Sequence, residues 1–342
     1  MKNKLIYLIS IICLMLFSTN CDNSITRNND NNTSWIFISN EGNMGDSDGS
    51  ISMINDYGDM MEIKNVGDVV QSLEVHNDKL IVLINNSHLV KIYTITEKEL
   101  LLPGISISTH NSSPREMVIV NDNVYFTNWN TKDIKVLNLI THEIESFIQF
   151  NSIPEDIISD GTHLWVSLPM LELYDHNDGT IVSKIHIPTK QIVNNYDVGR
   201  GPEQLTSLNN EIYVSRKFSS LDWMETYHGV SVIGSDINQN DYSLGSPCGG
   251  SILSYNNKVF RSYGGGIAPI HANLEVDELG RIGNYDQTQI YHVEIINDNI
   301  WFCITNWSDI NLVKVVNNNG QEIASYTAGI MPGDLAYWKK SE

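Results

Sequence analysis

Short apolar segments alternate with polar turns along most of the chain, and one arrangement of them recurs. In each copy a short apolar segment leads to an Asn, Asp or Gly turn, followed by a strand that ends in Ser, Thr or Asn. The second strands place apolar residues at every other position, as with Val124 and Phe126, which predicts β-strands. Tight two-residue hairpins need positive φ, which Asn, Asp and Gly adopt most readily. The copies are residues 72–86, 116–130, 156–169, 204–217, 251–263 and 293–307.

The spacing of the copies predicts the architecture. Each copy continues with two further predicted strands, such as residues 133–140 and 143–150. Four strands in 40–50 residues is typical of a β-propeller blade, and residues 33–342 span about seven such intervals. The chain is therefore predicted to be an all-β, seven-bladed β-propeller with four-stranded blades. An open repeat array and a ring of six or eight blades are the alternatives.

The seventh copy is divided between the two ends of the repeat region. Residues 332–338 read as a first strand without its partner, and residues 34–42 read as a second strand without its first. We therefore expect the C-terminal strand to complete the N-terminal blade. Such a closure leaves the ring without a free sheet edge.

The first 21 residues predict a targeting signal. Lys2 and Lys4 precede an apolar run from Leu5 to Phe17, which is too short to span a bilayer. The run ends shortly before Cys21, as in bacterial lipoprotein signals, where the cysteine carries the lipid. Plain secretion with cleavage nearby is the alternative. The expected organisation is a signal peptide at 1–20, a lipidated cysteine and flexible tether at 21–33, and a single propeller at 34–342.

Charge and cysteine content narrow the function classes. The 342 residues include 21 Lys and Arg against 41 Asp and Glu, and this net charge of −20 disfavours nucleic-acid binding. Cys248 and Cys303 are interpreted as free thiols, with a disulfide between them as the alternative. Three histidines, His228, His271 and His292, fall on or near the predicted rim, but their spacing does not require a metal. No metal site and no cofactor is predicted.

A Pro followed by acidic or amide residues recurs just before the predicted first strands. These motifs, together with residues 40–55, resemble the YVTN/YncE-like seven-bladed propellers of bacterial envelopes, a group that includes lipoproteins. The resemblance covers residues 34–342 and implies a lipid-anchored place in the envelope, at the periplasmic face or the cell surface. The motifs are SPRE (113–116), IPED (153–156), GPEQ (201–204) and MPGD (331–334), with a degenerate SPCG (246–249).

The resemblance also implies a partner for this chain. Some similar lipoproteins are surface propellers that capture cobalamin beside an outer-membrane transporter, so such a transporter is a partner by analogy. No cobalamin-specific motif occurs in this chain. The membrane is expected to be contacted only through the lipid anchor.

Propeller geometry predicts where a ligand binds. The loops between second and third strands share one face with the connections between blades, and four of them are long, at 40–49, 168–179, 216–229 and 263–278. Aromatic and polar groups around a concave mouth are the usual make-up of a ligand site. For the acids, the alternative is that they only cap the starts of inner strands. The predicted ligand-binding residues are Trp129, Trp307, Tyr263, Arg115, Glu116, Glu155, Asp156, Glu203, Gln204, Arg216 and Asp334.

The chain contains no G-x-S-x-G, P-loop or H-E-x-x-H motif. We therefore predict a binding module that captures a small-molecule or protein ligand on one propeller face. Related-looking propellers include metal-dependent lactonases and lyases, which makes an enzyme the alternative; its first candidates for metal ligands or general base are Glu116, Glu155, Glu203 and His292. A structural envelope protein is the second alternative.

Overall fold

The computed structural model describes residues 33–244, 250–308 and 311–340, which belong to one compact unit. In these ranges the chain forms 27 strands and one short 3-10 helix, Glu278–Gly280, and the strands make seven antiparallel sheets. Each sheet is one blade of a ring, so the predicted seven-bladed propeller is confirmed. The predicted signal peptide, Cys21 and nearly all of the tether lie outside the described residues, as does Cys248.

The first three blades follow the predicted repeat. Blade 1 contains β1 (Ser34–Asn40), β2 (Gly49–Asn55) and β3 (Met60–Gly67). Blade 2 contains β4 (Val70–His76), β5 (Lys79–Ile84), β6 (Leu89–Ile95) and β7 (Leu100–Ser108). Blade 3 contains β8 (Pro114–Val120), β9 (Asn123–Asn128), β10 (Asp133–Asn138) and β11 (Ile144–Gln149).

The remaining blades continue the same order. Blade 4 contains β12 (Ile157–Ser159), β13 (His163–Leu168), β14 (Ile181–His186) and β15 (Gln191–Asp197). Blade 5 contains β16 (Pro202–Leu208), β17 (Glu211–Ser219), β18 (Thr226–Ile233) and β19 (Ile237–Leu244). Blade 6 contains β20 (Ile252–Tyr255), β21 (Lys258–Tyr263) and β22 (Gly266–Pro269). Blade 7 contains β23 (Ile290–Ile296), β24 (Asn299–Ile304), β25 (Asn311–Val316) and β26 (Glu322–Ala328).

The last strand closes the ring as predicted. β27 (Pro332–Lys339) pairs antiparallel with β1, from Ser34 opposite Lys339 to Asn40 opposite Pro332, and becomes the inner strand of blade 1. The two ends of the propeller are thereby joined by main-chain hydrogen bonds within one sheet. The ring has no unpaired inner edge at this point.

The hairpin turns at the ends of the inner strands have the predicted backbone. Positive φ removes most residue types from such turns, and asparagine adopts it at little cost. In the copy that begins at residue 156, Gly161 rather than Asp160 has the positive φ. In the other five copies the predicted turn asparagines have φ between 47° and 56°; they are Asn77, Asn121, Asn209, Asn256 and Asn297.

Two of the predicted long loops are wrong in extent. The segment 263–278 contains β22, because Gly264 and Gly265 both have positive φ and turn the chain at once from β21 into the next strand. Ile282 then bridges Ile267 and occupies the outer position of blade 6. The segment 216–229 is mostly strand, since β17 and β18 extend to either side of a short loop at 220–225.

The apolar core lies between the faces of neighbouring blades. Trp35, Val70 and Trp338 belong to the layer between blades 1 and 2, and Phe302 belongs to the layer between blades 6 and 7. Cys303 is buried and has no disulfide partner among the described residues. In the described part of the chain, no helix has the length and apolar character needed to cross a membrane.

Replacing Trp338 should weaken the closure of the ring. Trp338 on β27 is 3% exposed, and its Nε1 donates a hydrogen bond of 2.9 Å to Asp78 in blade 2. Trp338→Ala leaves a large cavity, so we expect the free energy of unfolding to fall by about 3–5 kcal/mol in urea titrations. Leu279→Ala, at a fully exposed side chain, is the control. A loss below about 1 kcal/mol for Trp338→Ala would contradict a stabilising role of the closure.

Candidate functional site

The inner strands of the blades line a central cavity, and an irregularity at their start determines which side chains reach it. In β4, β8, β16, β23 and β27 the pairing with the neighbouring strand shifts register near the first residues. A β-bulge leaves an extra residue unpaired and re-aims its side chain. Two consecutive residues therefore line the cavity, as with Arg115 and Glu116 or Glu203 and Gln204.

Hydroxyl groups on the second strands hold these irregular starts in place. Thr127 Oγ1 accepts a hydrogen bond of 3.1 Å from the backbone N–H of Glu116. It also donates one of 2.6 Å to the backbone carbonyl of Glu155 in the next blade. Ser167 makes the equivalent two bonds one blade further on. The Ser and Thr residues that end the repeated second strands thus position the site.

The cavity has a volume of about 540 Å³ and lies at the face that carries the connections between blades. Among the described residues that line it, two are permanent cations, Arg115 and Lys217, whereas eight are carboxylic acids. The lining is therefore strongly acidic. The eight acids are Glu41, Glu74, Glu116, Glu155, Asp156, Glu203, Glu294 and Asp334.

The two cations pair with carboxylates near the mouth of the cavity. Arg115 forms an ion pair of 2.6 Å with Glu155, and its guanidinium lies 4.1 Å from the centre of the Trp129 ring. Trp129 Nε1 donates a hydrogen bond of 2.6 Å to the same carboxylate. Lys217 lies 3.8 Å from Glu203. The mouth is thus a linked set of charged and aromatic groups with fixed orientations.

Two aspartates join neighbouring inner strands. Asp156 Oδ2 accepts a hydrogen bond of 2.6 Å from the backbone N–H of Leu205, and Asp334 Oδ2 accepts one of 2.6 Å from that of Leu73. Each also accepts a bond from the residue that follows it. These two acids therefore have the backbone-capping role that was the alternative interpretation of the motif, while their side chains also line the cavity.

Four acids form a belt deeper in the ring. Glu74, Glu116, Glu294 and Asp334 line both the main cavity and a second cavity of about 340 Å³. In the described residues no Lys or Arg forms an ion pair with any of these four. The belt is therefore the part of the cavity with the least compensated charge.

Burial shifts the protonation of the cavity acids. Removal from water raises the pKa of Glu74 to about 8, and the nearby carboxylates of Asp334 and Glu294 contribute to the same rise. Burial likewise raises the pKa of Asp156 to about 7 and that of Asp334 to about 6. For Glu116, burial and then Asp334 raise the pKa well above its usual value. Several of these groups consequently gain or lose a proton near neutral pH.

The other predicted site residues have different positions. Trp307 is 50% exposed and lies edge-on to Tyr291, with ring centres 5.8 Å apart. Arg216 is 2% exposed and pairs with Asp241 of the outer strand β19, so it does not line the cavity. Tyr263 donates a hydrogen bond of 2.7 Å to Glu278 at the edge of blade 6. Of the predicted residues, Trp307, Arg216 and Tyr263 therefore do not line the main cavity, and Trp129 lines only a smaller one beside it.

Some residues of the site were missed from the sequence. Glu74 and Glu294 follow Ser72 and His292 by two positions on inner strands, so alternation along a strand was a signal that could have identified them. Glu41 follows the end of β1, and Tyr291 donates a hydrogen bond of 2.7 Å to it. That contact joins distant parts of the sequence and left no local pattern.

A smaller cavity of about 310 Å³ lies beside the mouth. Its lining includes Trp129 and Arg115 together with Met44 and Tyr174 from second-to-third loops. Tyr174 meets Trp129 edge-on, with ring centres 6.4 Å apart. A recess with a mixed polar and apolar lining thus adjoins the acidic cavity.

Comparison with solved structures shows the fold. A proposed 6-phosphogluconolactonase from Bacteroides fragilis is similar with a TM-score of 0.59 and 13% identity, over 91% of this chain and 100% of that one. AztD from Citrobacter koseri has a TM-score of 0.55 and 10% identity, over 90% and 99%. The dihydro-heme d1 dehydrogenase NirN has a TM-score of 0.55 and 11% identity, over 84% and 64%.

No protein-family model and no curated protein sequence matches the chain. Identities this low support a shared propeller fold and do not transfer activities. The resemblance to YncE-like envelope proteins therefore stays a prediction.

The raised pKa values predict how stability depends on pH. An acid with a higher pKa in the folded state binds more protons there, so its stabilising contribution is present at low pH and is lost as pH rises through the folded value. For Glu74 that loss begins near pH 4.5, the usual carboxyl value, and is complete near pH 8. In EDTA-containing buffer we expect the melting temperature to fall between pH 5 and pH 9.

Glu74→Gln should reduce this fall, because the variant has no carboxylate to ionise. At pH 9 we expect a melting temperature about 2–4 °C above that of the unmodified chain, measured by calorimetry. Glu275→Gln makes the same change at an exposed position outside the cavity and serves as control. Equal pH dependence in all three proteins would show that burial of Glu74 does not destabilise its ionised form.

Proposed function

We propose that the chain is a binding module that captures a positively charged small molecule in its central cavity. The observation that carries the proposal is the excess of eight carboxylic acids over two permanent cations around a cavity of about 540 Å³. Cavities of about 300–1,000 Å³ are usual for small-molecule sites.

The energetics favour a cationic ligand. Buried carboxylates are costly when they lack partners, and a bound ammonium or similar group supplies charge-assisted hydrogen bonds to them. Arg115 and Lys217 already pair with Glu155 and Glu203, which leaves the belt acids for the ligand. The recess beside Trp129 and Tyr174 can take an apolar portion of the same molecule.

Spermidine is a suitable first probe, with glucose as a neutral and citrate as an anionic comparison. We expect spermidine alone to raise the melting temperature and to give heat in titration calorimetry. Glu116→Gln removes a belt carboxylate that the ligand would pair with, so affinity should fall about 10-fold or more. Glu275→Gln is the matched control outside the cavity. Binding of citrate in preference to spermidine would contradict the proposal.

We further propose that the module is held in the bacterial envelope by a lipid on Cys21, as the signal-like residues 1–21 suggest. In a bacterial host the chain should be found in the membrane fraction and incorporate labelled palmitate. Cys21→Ala should abolish the label and release the chain from membranes. Unchanged labelling of Cys21→Ala would contradict lipidation at this residue.

An enzyme is the second candidate function. Glu116, Glu155, Glu203 and His292 all line the cavity, and a pKa of about 7 for Asp156 suits proton transfer at neutral pH. Hydrolysis of lactones by the purified chain, lost in Glu116→Gln, would favour this candidate over simple capture.

A further inference from the structure

We propose that His292, Glu294 and Asp334 form a binding site for a divalent transition-metal ion in the belt of the cavity. The inference rests on the proposed capture of cations and specifies a second ligand class and its place. One ligand atom from each of these three side chains lies within 4.8 Å of the other two. The sequence did not predict the cluster, because His292 and Asp334 come from the inner strands of neighbouring blades.

The imidazole distinguishes this cluster from an ordinary acidic patch. His292 Nε2 is buried and makes no hydrogen bond to the described residues; its nearest carboxylate oxygen is Glu294 Oε2, at 3.5 Å. A buried ring nitrogen without a hydrogen-bond partner is uncommon. Imidazole nitrogen is a preferred ligand of zinc and similar ions, and carboxylate oxygen is compatible with the same ions.

Backbone hydrogen bonds hold Asp334, the third proposed metal ligand, in place. Asp334 accepts backbone hydrogen bonds from Leu73 and Leu335, one at each carboxylate oxygen. Each oxygen keeps a further lone pair, and such outer contacts orient metal-binding carboxylates in known sites. The carboxylate is thus positioned by the same bonds that join β27 to β4.

The surroundings favour a doubly charged ion. Glu74 and Glu116 line the same part of the cavity, and no Lys or Arg of the described chain pairs with them or with the cluster. Three protein ligands leave coordination positions open, and the cluster faces a cavity that a small molecule can enter. A bound ion can therefore contact a captured ligand directly.

Titration of the untagged full-length chain with Zn²⁺ tests the site. We expect one tight Zn²⁺ per chain, and Co²⁺ should give the visible absorption of a nitrogen-containing site. His292→Ala should weaken Zn²⁺ binding about 100-fold or more and Glu294→Gln at least about 10-fold. Melting curves of the metal-free variants establish that they are folded, and His292→Asn replaces His292→Ala if the latter does not fold.

Two controls separate a defined site from general attraction to an acidic cavity. Glu155→Gln removes a carboxylate near the mouth, and His271→Ala removes an exposed histidine. Both should retain Zn²⁺ affinity within about 3-fold. Equal loss in Glu155→Gln and Glu294→Gln, or unchanged binding in His292→Ala, would overturn the proposal.

Spermidine binding separates this inference from the proposed function. If spermidine binds and Zn²⁺, Co²⁺ and Mn²⁺ do not, the metal site is wrong and cation capture stands. If neither spermidine nor any of these ions binds, both proposals fail. Displacement of spermidine by one equivalent of Zn²⁺, absent in His292→Ala, would place both ligands in the same cavity.

Discussion

The pairing of β1 with β27 is the constraint on which the rest of the molecule depends. A ring of blades has stable neighbours on every side only when its first and last blades meet, and here the two ends of the chain meet by main-chain pairing within blade 1. Asp334 lies on the closing strand and bonds to the backbone of Leu73 in the next blade. The same strand therefore closes the ring and contributes an acid to the cavity.

Two physical requirements conflict in the cavity. Inner strands need acceptors to join them at the narrow centre, and Asp156 and Asp334 supply these acceptors. Buried carboxylates lose hydration and, when close together, repel one another, which raises the pKa of Glu74 and Asp334. Some of these acids therefore keep their proton near neutral pH, and a bound cation would favour their ionised form.

The mouth and the belt differ in how their charge is balanced. At the mouth, Arg115 and Trp129 hold Glu155 in a defined orientation. In the belt, Glu294 and Asp334 have His292 as their neighbour and no permanent cation in the described chain. Because of this difference, both proposed ligands, the cationic small molecule and the metal ion, are assigned to the acids of the belt.

Local sequence patterns were sufficient to predict the blades. Period-two alternation, asparagine turns with positive φ and the spacing of the copies depend on contacts within 40–50 residues, so the fold, the split blade and acids such as Glu116 and Glu203 were readable from the sequence alone. The position of β22 could not be predicted from the sequence, since two consecutive glycines are compatible with either a long loop or a tight turn. Which side chains face one another was decided by the closed ring. Arg216 pairs with Asp241 within its own blade, and His292 lies close to Asp334 of the neighbouring blade. These contacts could not be predicted from local patterns, because the bulges and the packing of neighbouring blades act between residues that are distant in sequence.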